Sequence, residues 1–453
     1  MSNFRPIDRD TGFLLPPSVD EWLPQRHLAR FVVEVIDGLD LSELVKAYRG
    51  SGIASYHPSM LLGLLVYGYA TQAFSSRAIE RATYDSVAFR FIAGNEHPDH
   101  DTIASFRTRF LPQIAALFVE VLKLARTMGM LKMGTVALDG TKVHANASRH
   151  SALSYGHAKK IEKQLKREVQ QLLRLAEQAD GVNLPDGMSI PEELERREVR
   201  LAAIAAAKVK IEARAEDRLE REQAEHQSKL AARAEQEERT GKKTRGPPPG
   251  PPTGGVKDTD QVNLTDEDSR IMKVAGGGFD QCYNAQAVVA TGSMLIVATE
   301  VTQAANDKEQ LMPMIEKIQA LSQELGRAKR ILADSGYLSQ ANVEGCAAVK
   351  IEPLIAMGRT RHHVSWKQRF AAAPNAPPDS ATPLQKMAYR LKTPRGRKLY
   401  ALRKQTPEPV FGIIKSVMGY RQCLLRGLEN VKGEWNLVTM SWNIKRMFAM
   451  QTC

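Results

Sequence analysis

Two short apolar runs that each stop at an aspartate, Val136-Ala-Leu-Asp139 and Arg330-Ile-Leu-Ala-Asp334, set the tightest limit on how this 453-residue chain can fold. An unbroken apolar run bounded by turn formers makes a strand buried on both faces, and such strands belong to α/β sheets covered by helices. Carboxylates at the ends of neighbouring strands converge on one crevice, where they repel each other unless a cation is shared. Taken singly, each aspartate merely opens a turn, because Asp-Gly and Asp-Ser-Gly are common turn formers. The pair gains meaning only with a third carboxylate.

Thr406-Pro-Glu408-Pro supplies one. It reads as a helix start, with Thr406 as N-cap, prolines in the first turn, and Glu408 at the positive end of the helix dipole. Val410, Phe411, Ile414, Val417 and Met418 would form the apolar face, and Glu408, Gly412, Lys415 and Gly419 another. Each glycine costs about 1 kcal/mol in a helix, so the second stripe suits a bulky ligand that approaches the backbone closely.

The rest of the chain arranges itself around these blocks. Residues 1–130 read as helical, over Ser59–Ala70, Ser75–Ala88 and Ser105–Ala125, and carry Arg77, Arg81, Arg90, Arg107 and Arg109, which either grip DNA or lie on solvated faces. Thr135–Leu138 reads as a strand that turns at Asp139-Gly-Thr into a neighbour. Residues 159–239 hold 17 basic and 18 acidic side chains on helix-forming residues, which predicts a charged antiparallel helical hairpin. Gly246-Pro-Pro-Pro-Gly-Pro-Pro-Thr-Gly-Gly then reads as a plain linker. Tyr283–Ala290 and Met294–Val301 predict a β-hairpin, Asp307–Leu325 a helix, and Glu352–Met357 a strand.

Charge names the class of partner. Lys and Arg total 63 against 51 Asp and Glu, a net +12, so nucleic acid comes first and anionic membrane second. Thirteen of the bases fall in residues 359–415, against only Asp379 and Glu408. Arg395, Arg397 and Lys398 lie there, and Trp366, Phe370 and Tyr389 among them could stack on unpaired bases. His362-His363 reads as part of the same basic patch rather than as a metal site. The scattered Cys282, Cys346, Cys423 and Cys453 fit a reducing cytoplasm and no zinc or disulfide frame. No apolar signal core opens the chain, and the run around Met60–Ala70 is too short to span a bilayer.

Three blocks, Val136-Ala-Leu-Asp139-Gly-Thr, Ala333-Asp334-Ser-Gly-Tyr337 and Tyr400-x2-Arg403-x4-Glu408-x6-Lys415, resemble the catalytic blocks of bacterial insertion-sequence DDE transposases. They are closest to the group whose last block is the YREK signature, to which Tyr283-Asn-Ala-Gln and Arg426-Gly-Leu-Glu are also similar. One departure stands out: the group has three residues between Arg and Glu and this chain has four. Lys404 restores the spacing, so Arg403 and Lys404 both remain candidates for the Arg role. Glu429 and Glu434 are alternative acids, but neither has a Lys seven positions on.

The resemblance implies an α/β protein. A ribonuclease-H-like mixed-sheet catalytic domain over 131–453 would be interrupted by a charged helical insertion at 151–255 and preceded by an N-terminal helical DNA-binding domain at 1–130. It implies that Asp139, Asp334 and Glu408 are catalytic and hold two Mg²⁺ or Mn²⁺ ions, with Tyr400, Arg403 or Lys404, and Lys415 on DNA. The implied activity is metal-dependent cleavage at transposon ends, then attack of the freed 3′-hydroxyl on target DNA. Terminal inverted repeats and target DNA would be the partners of a homodimer or higher assembly in the cytoplasm, at the nucleoid. A DNA-binding protein without catalysis and a structure-specific nuclease of the same fold are the competing classes.

Overall fold

The structure, a computed structural model, describes residues 18–48, 55–177, 189–244, 246–358 and 375–451. The chain divides into two compact units, Met1–Ala145 with Cys282–Cys453, and Asn146–Gln281. Elements are numbered in chain order.

The first unit opens with helices α1 (Leu28–Asp37), α2 (Ser42–Lys46), α3 (Pro58–Ala70), α4 (Ser76–Asp85), α5 (Val87–Ile92), α6 (His100–Arg109) and α7 (Leu111–Thr127). Two of the expected helices are each broken in two. Ser86 separates α4 from α5, and Phe110 separates α6 from α7. Pro112 in the first turn of α7 explains the second break, because a residue without an N–H starts a helix more easily than it continues one. Helix α3 is apolar all round and buried along nearly its whole length. It packs on α1 and on the last helix, α16 (Leu428–Gln451), which also covers α7 and strand β6 (Ile296–Thr302). The N-terminal helices and the sheet thus share one core, and no unit boundary falls at residue 130.

That sheet runs β6–β5–β1–β7–β8, with β1 (Thr135–His144), β5 (Phe279–Ala290), β7 (Arg330–Ala333) and β8 (Glu352–Ile355). Strand β5 is antiparallel to β1 and β6, whereas β1, β7 and β8 are parallel. Strand β1 does not turn at Asp139-Gly140. It continues to His144, because β5 pairs with it without a break from Val136↔Ala290 to His144↔Cys282. Helices α10 (Leu311–Ala320) and α11 (Ser322–Leu325) follow β6, and Asp307 lies before them rather than inside a helix. Helix α12 (Gln340–Ala348) joins β7 to β8, and α13 (Pro383–Lys392), α14 (Pro394–Ala401) and α15 (Pro407–Ser416) lead to α16. Leu391, Leu399, Tyr400 and Leu402 close over Ala137, Leu332 and Leu354.

In the second unit α8 (Tyr155–Glu177) and α9 (Ile190–Thr240) form the charged hairpin. The pairs Glu162–Lys208 and Glu168–Arg197, both at 2.8 Å, fix the two helices antiparallel. Leu165, Ile204 and Ile211 pack with Leu153 and Val262 from the small ladder of β2 (Ala152–Ser154) and β3 (Gln261–Asn263). That ladder pairs a strand inside the expected insertion with one beyond its expected end at 255. Strand β4 (Arg270–Lys273) pairs with β5 across a turn of three positive-φ glycines, Gly276–Gly278. The Pro/Gly segment is not a plain linker. Arg233 donates to the carbonyls of Thr244, Gly246 and Pro247, His226 Nε2 to that of Pro249, and Arg218 to that of Gly255. An extended proline-rich backbone leaves its carbonyls free, and the donors of α9 use them.

Candidate active site

Register brings the two aspartates together. Ala137 pairs with Leu332 in the parallel β1/β7 ladder, so Asp139 and Asp334, each two residues further on, fall side by side. Asp334 follows the last residue of β7, and its Oδ1 accepts from the Gly336 N–H at 2.8 Å. Glu408 comes from the first turn of α15. One guanidinium collects all three carboxylates. Arg403 Nη2 lies 3.0 Å from Asp139 Oδ2 and 3.8 Å from Asp334 Oδ2, and Nη1 lies 3.2 Å from Glu408 Oε1. Exposure rises from 14% at the Asp139 side chain to 38% at Asp334 and 50% at Glu408, so the cluster opens to solvent on the α15 side.

The electrostatics follow from burial. The Asp139 carboxyl is pushed up to about 6, first by desolvation and then by Asp334 and Glu408, with Arg403 pulling the other way. The Arg403 Nε–H is buried without a hydrogen-bond partner, and burial lowers the guanidinium's pKa while the surrounding carboxylates outweigh it and raise it. Among the described residues no group of three or more His, Cys, Asp or Glu side chains is close enough to hold a metal ion, and Arg403 sits between the three carboxylates. The donor set is all oxygen and strongly anionic, which fits a hard cation such as Mg²⁺ or Mn²⁺ rather than zinc.

The remaining predicted residues divide. Arg403, not Lys404, reaches the carboxylates, and Lys404 is exposed. The Tyr400 hydroxyl donates to the Ala333 carbonyl at 3.3 Å, directly before Asp334, and burial raises its pKa. Lys415 is turned inward, giving its ammonium to the Lys142 carbonyl at 2.6 Å, and burial lowers its pKa. Arg395, Arg397 and Lys398 are exposed on α14. Thr406 stands at the N-cap position without capping, because its hydroxyl bonds the Leu402 carbonyl instead. Val417 is exposed rather than part of the apolar face of α15. Gly412 faces open space, but Gly419 lies past the helix end at φ +80°, so its glycine serves the backbone turn.

Neither alternative acid joins the cluster. Glu429 pairs with Lys432 at 2.9 Å on the surface. Glu434 is wholly buried and accepts from Tyr69 Oη at 2.8 Å and from the N–H groups of Leu424 and Leu425 at 3.0 Å. Of the N-terminal arginines, Arg107 is buried on Tyr69 and the Phe74 carbonyl. Arg109 bonds the Ala47 carbonyl, and Arg90 donates to Asn95 Oδ1 and lies over the Trp22 ring. Arg77 and Arg81 stay exposed on α4. Trp366, Phe370, His362, His363 and Cys453 lie outside the described residues. Sequence reasoning met Asn284 and Gln286 only within the Tyr283-Asn-Ala-Gln resemblance and gave neither them nor Asp307 a role, whereas the structure clusters all three beside β1. For Asn284 and Gln286 the signal was polar residues at alternate positions of an otherwise apolar strand.

Two family models match the chain. Residues 17–109 match the model described as Transposase domain (DUF772), and residues 375–448 the one described as Transposase DDE domain. The second match includes Arg403, Glu408 and Lys415, while Asp139 and Asp334 lie outside both. Together the matches support a DDE-type transposase. No curated protein and no solved structure matches the chain. Among the described residues no helix is long and apolar enough to cross a membrane.

Proposed function

We propose that this chain is an insertion-sequence transposase that cleaves DNA at transposon ends and joins the freed 3′-hydroxyl to target DNA, with Asp139, Asp334 and Glu408 as its catalytic carboxylates. One observation carries the reading: carboxylates from β1, from the end of β7 and from the first turn of α15 meet on a single guanidinium. The sheet order β6–β5–β1–β7–β8, with only β5 antiparallel to β1, supports a ribonuclease-H-like fold. Tyr400, Arg403, Glu408 and Lys415 support membership of the YREK group.

Two divalent cations on Asp139, Asp334 and Glu408 would activate the attacking water or 3′-hydroxyl and stabilise the leaving oxygen. The chain's own contribution is positioning and charge. Arg403 is protonated at any working pH, and its planar fork suits a phosphate as well as a carboxylate. Tyr400 ties α14 to the residue before Asp334. Lys415 steadies β1 beyond Asp139 through the Lys142 carbonyl, a structural task in place of direct phosphate contact. Arg395, Arg397 and Lys398 offer an exposed basic track on α14 for the DNA backbone, and assembly as a homodimer or higher on paired ends completes the reading.

Incubation of the purified chain with the DNA flanking its gene and Mg²⁺, scored for nicking and for joining, tests it. Asp139→Asn, Asp334→Asn and Glu408→Gln should each abolish both while DNA binding persists, because most affinity comes from phosphate contacts elsewhere. Near-normal cleavage by any one of them removes that residue from the triad. Nicking without joining by the parent makes the protein a nuclease, and binding without nicking makes it a DNA-binding protein.

A further inference from the structure

Successive residues of a strand face opposite sides, so Gly140 points away from the side on which Asp139 meets Arg403. Behind Gly140 lies a buried polar network, with the Lys142 ammonium, itself buried without a hydrogen-bond partner, 3.9 Å from its Asp307 Oδ1. Gln286, the ladder partner of Gly140 on β5, and Asn284, the partner of Lys142, are both fully buried. Gln286 Nε2 donates to Asp307 Oδ1 at 2.7 Å and to Asn284 Oδ1 at 3.1 Å. Asn284 Nδ2 donates to the same Asp307 oxygen at 2.7 Å and to the Ala304 carbonyl at 3.0 Å. The remaining acceptor, Gln286 Oε1, takes the hydroxyl of Tyr337, which is also fully buried. Tyr337 closes the short turn that begins at Asp334. The other Asp307 oxygen lies 3.8 Å from where a Gly336 side chain would begin, and the Gly336 N–H holds Asp334.

Gly140 is required here for space, not for its backbone angles. A methyl group on it would collide with Gln286 Nε2 and come within 2.9 Å of Asp307 Oδ1. Buried polar groups are costly unless hydrogen-bonded, and the bonds among Asp307, Asn284, Gln286 and Tyr337 restrain one another. This network joins the backbone segments that carry Asp139 and Asp334, through Gln286 on one side and Tyr337 on the other.

We propose that Asp307, Asn284, Gln286 and Tyr337 are positioning residues that hold the Asp139 strand and the Asp334 turn in register from behind the site. The inference rests on Asp139 and Asp334 being catalytic. Ladder pairing alone stops at Ala333 in β7, so the Asp334 carboxylate sits on a turn that the ladder does not hold. The network supplies the missing constraint.

The test uses the full chain carrying Tyr337→Phe, which removes one hydroxyl and keeps the ring packed, with Gln286→Ala, Gly140→Ala and the Gly140→Ala/Gln286→Ala pair. Amide hydrogen exchange should quicken about tenfold at Gly336 and Tyr337 in the Tyr337→Phe protein, with exchange elsewhere unchanged. Its cleavage rate at saturating DNA should fall roughly tenfold to a hundredfold while DNA affinity stays within about twofold, as expected when reacting groups are misplaced rather than removed. Gly140→Ala should be severe alone and cost less on the Gln286→Ala background, since that change removes the closest collision and leaves the 2.9 Å approach to Asp307 Oδ1. Unchanged exchange at the turn would overturn the proposal, and so would faster exchange with an unaltered cleavage rate. If the turn loosens as expected but the parent never cleaves DNA, the positioning stands and the transposase reading falls.

Discussion

Asp139→Asn should stabilise the metal-free protein while destroying its chemistry. The folded chain holds this carboxyl at about 6 against an ordinary 3.8, a difference worth about 3 kcal/mol at pH 7. The sign follows from the direction. A carboxyl raised on folding favours the folded state in its protonated form, so its contribution is complete below 3.8 and disappears as pH rises through about 6. At pH 7 the parent therefore bears the whole cost of an ionised, buried group, and asparagine removes it. Arg403 keeps Asp334 and Glu408 as partners, so the substitution strands no buried charge. Urea unfolding in a chelator, followed by fluorescence of the buried Trp435 and Trp442, should give the variant an advantage of up to about 3 kcal/mol at pH 7, shrinking to about 0.5 kcal/mol at pH 4. A variant no more stable than the parent at pH 7, or equally favoured at both pH values, would refute the reasoning and show that Arg403 fully compensates Asp139.

Three further outcomes are expected. Glu434→Ala should cost about 3 kcal/mol by stranding Tyr69 and two backbone N–H groups, and Glu434→Gln about 1 kcal/mol, with cleavage per folded molecule unchanged in both; unfolding curves and single-turnover assays read this. Replacing Arg395, Arg397 and Lys398 together by Ala should make the slope of log affinity against log salt shallower by up to about 3, equally for end DNA and random DNA, in a binding titration. Exchanging Asn146–Gln281 for a short turn should leave a soluble protein that unfolds cooperatively by circular dichroism, because β1 and β5 are already paired at the cut.

The sequence disclosed those features whose cause is local. Apolar runs before Asp139 and Asp334 mark buried strands, and the prolines around Glu408 mark a helix start. It misled where a distant partner overrides a local preference. Asp139-Gly140 reads as a turn, yet β5, encoded more than a hundred residues later, extends β1 through it. Thr406 is a capping residue by type, but the Leu402 carbonyl claims its hydroxyl. Spacing left Arg403 and Lys404 open, and only the convergence of the three carboxylates separates them. The proline-rich segment looked unattached because composition does not reveal the arginine donors that α9 lays along it.

The insertion between β1 and β5 also bears on the order in which the protein is made. At about 5–20 residues per second, β5 leaves the ribosome roughly ten seconds after β1. During that interval the aspartate-bearing strand has no antiparallel neighbour. The charged hairpin and its β2/β3 ladder are complete sooner, and they draw Ser148 to Asn263 through the Ser148 carbonyl and the Asn263 amide. The long span between His144 and Cys282 is thereby cut to the residues on either side of that clasp, which lowers the entropic cost of closing the sheet by about (3/2)RT times the logarithm of the length ratio, about 1.5 kcal/mol. A folded insert would therefore act as a splint, leaving β1 and β5 to close a loop about six times shorter than their spacing in the chain.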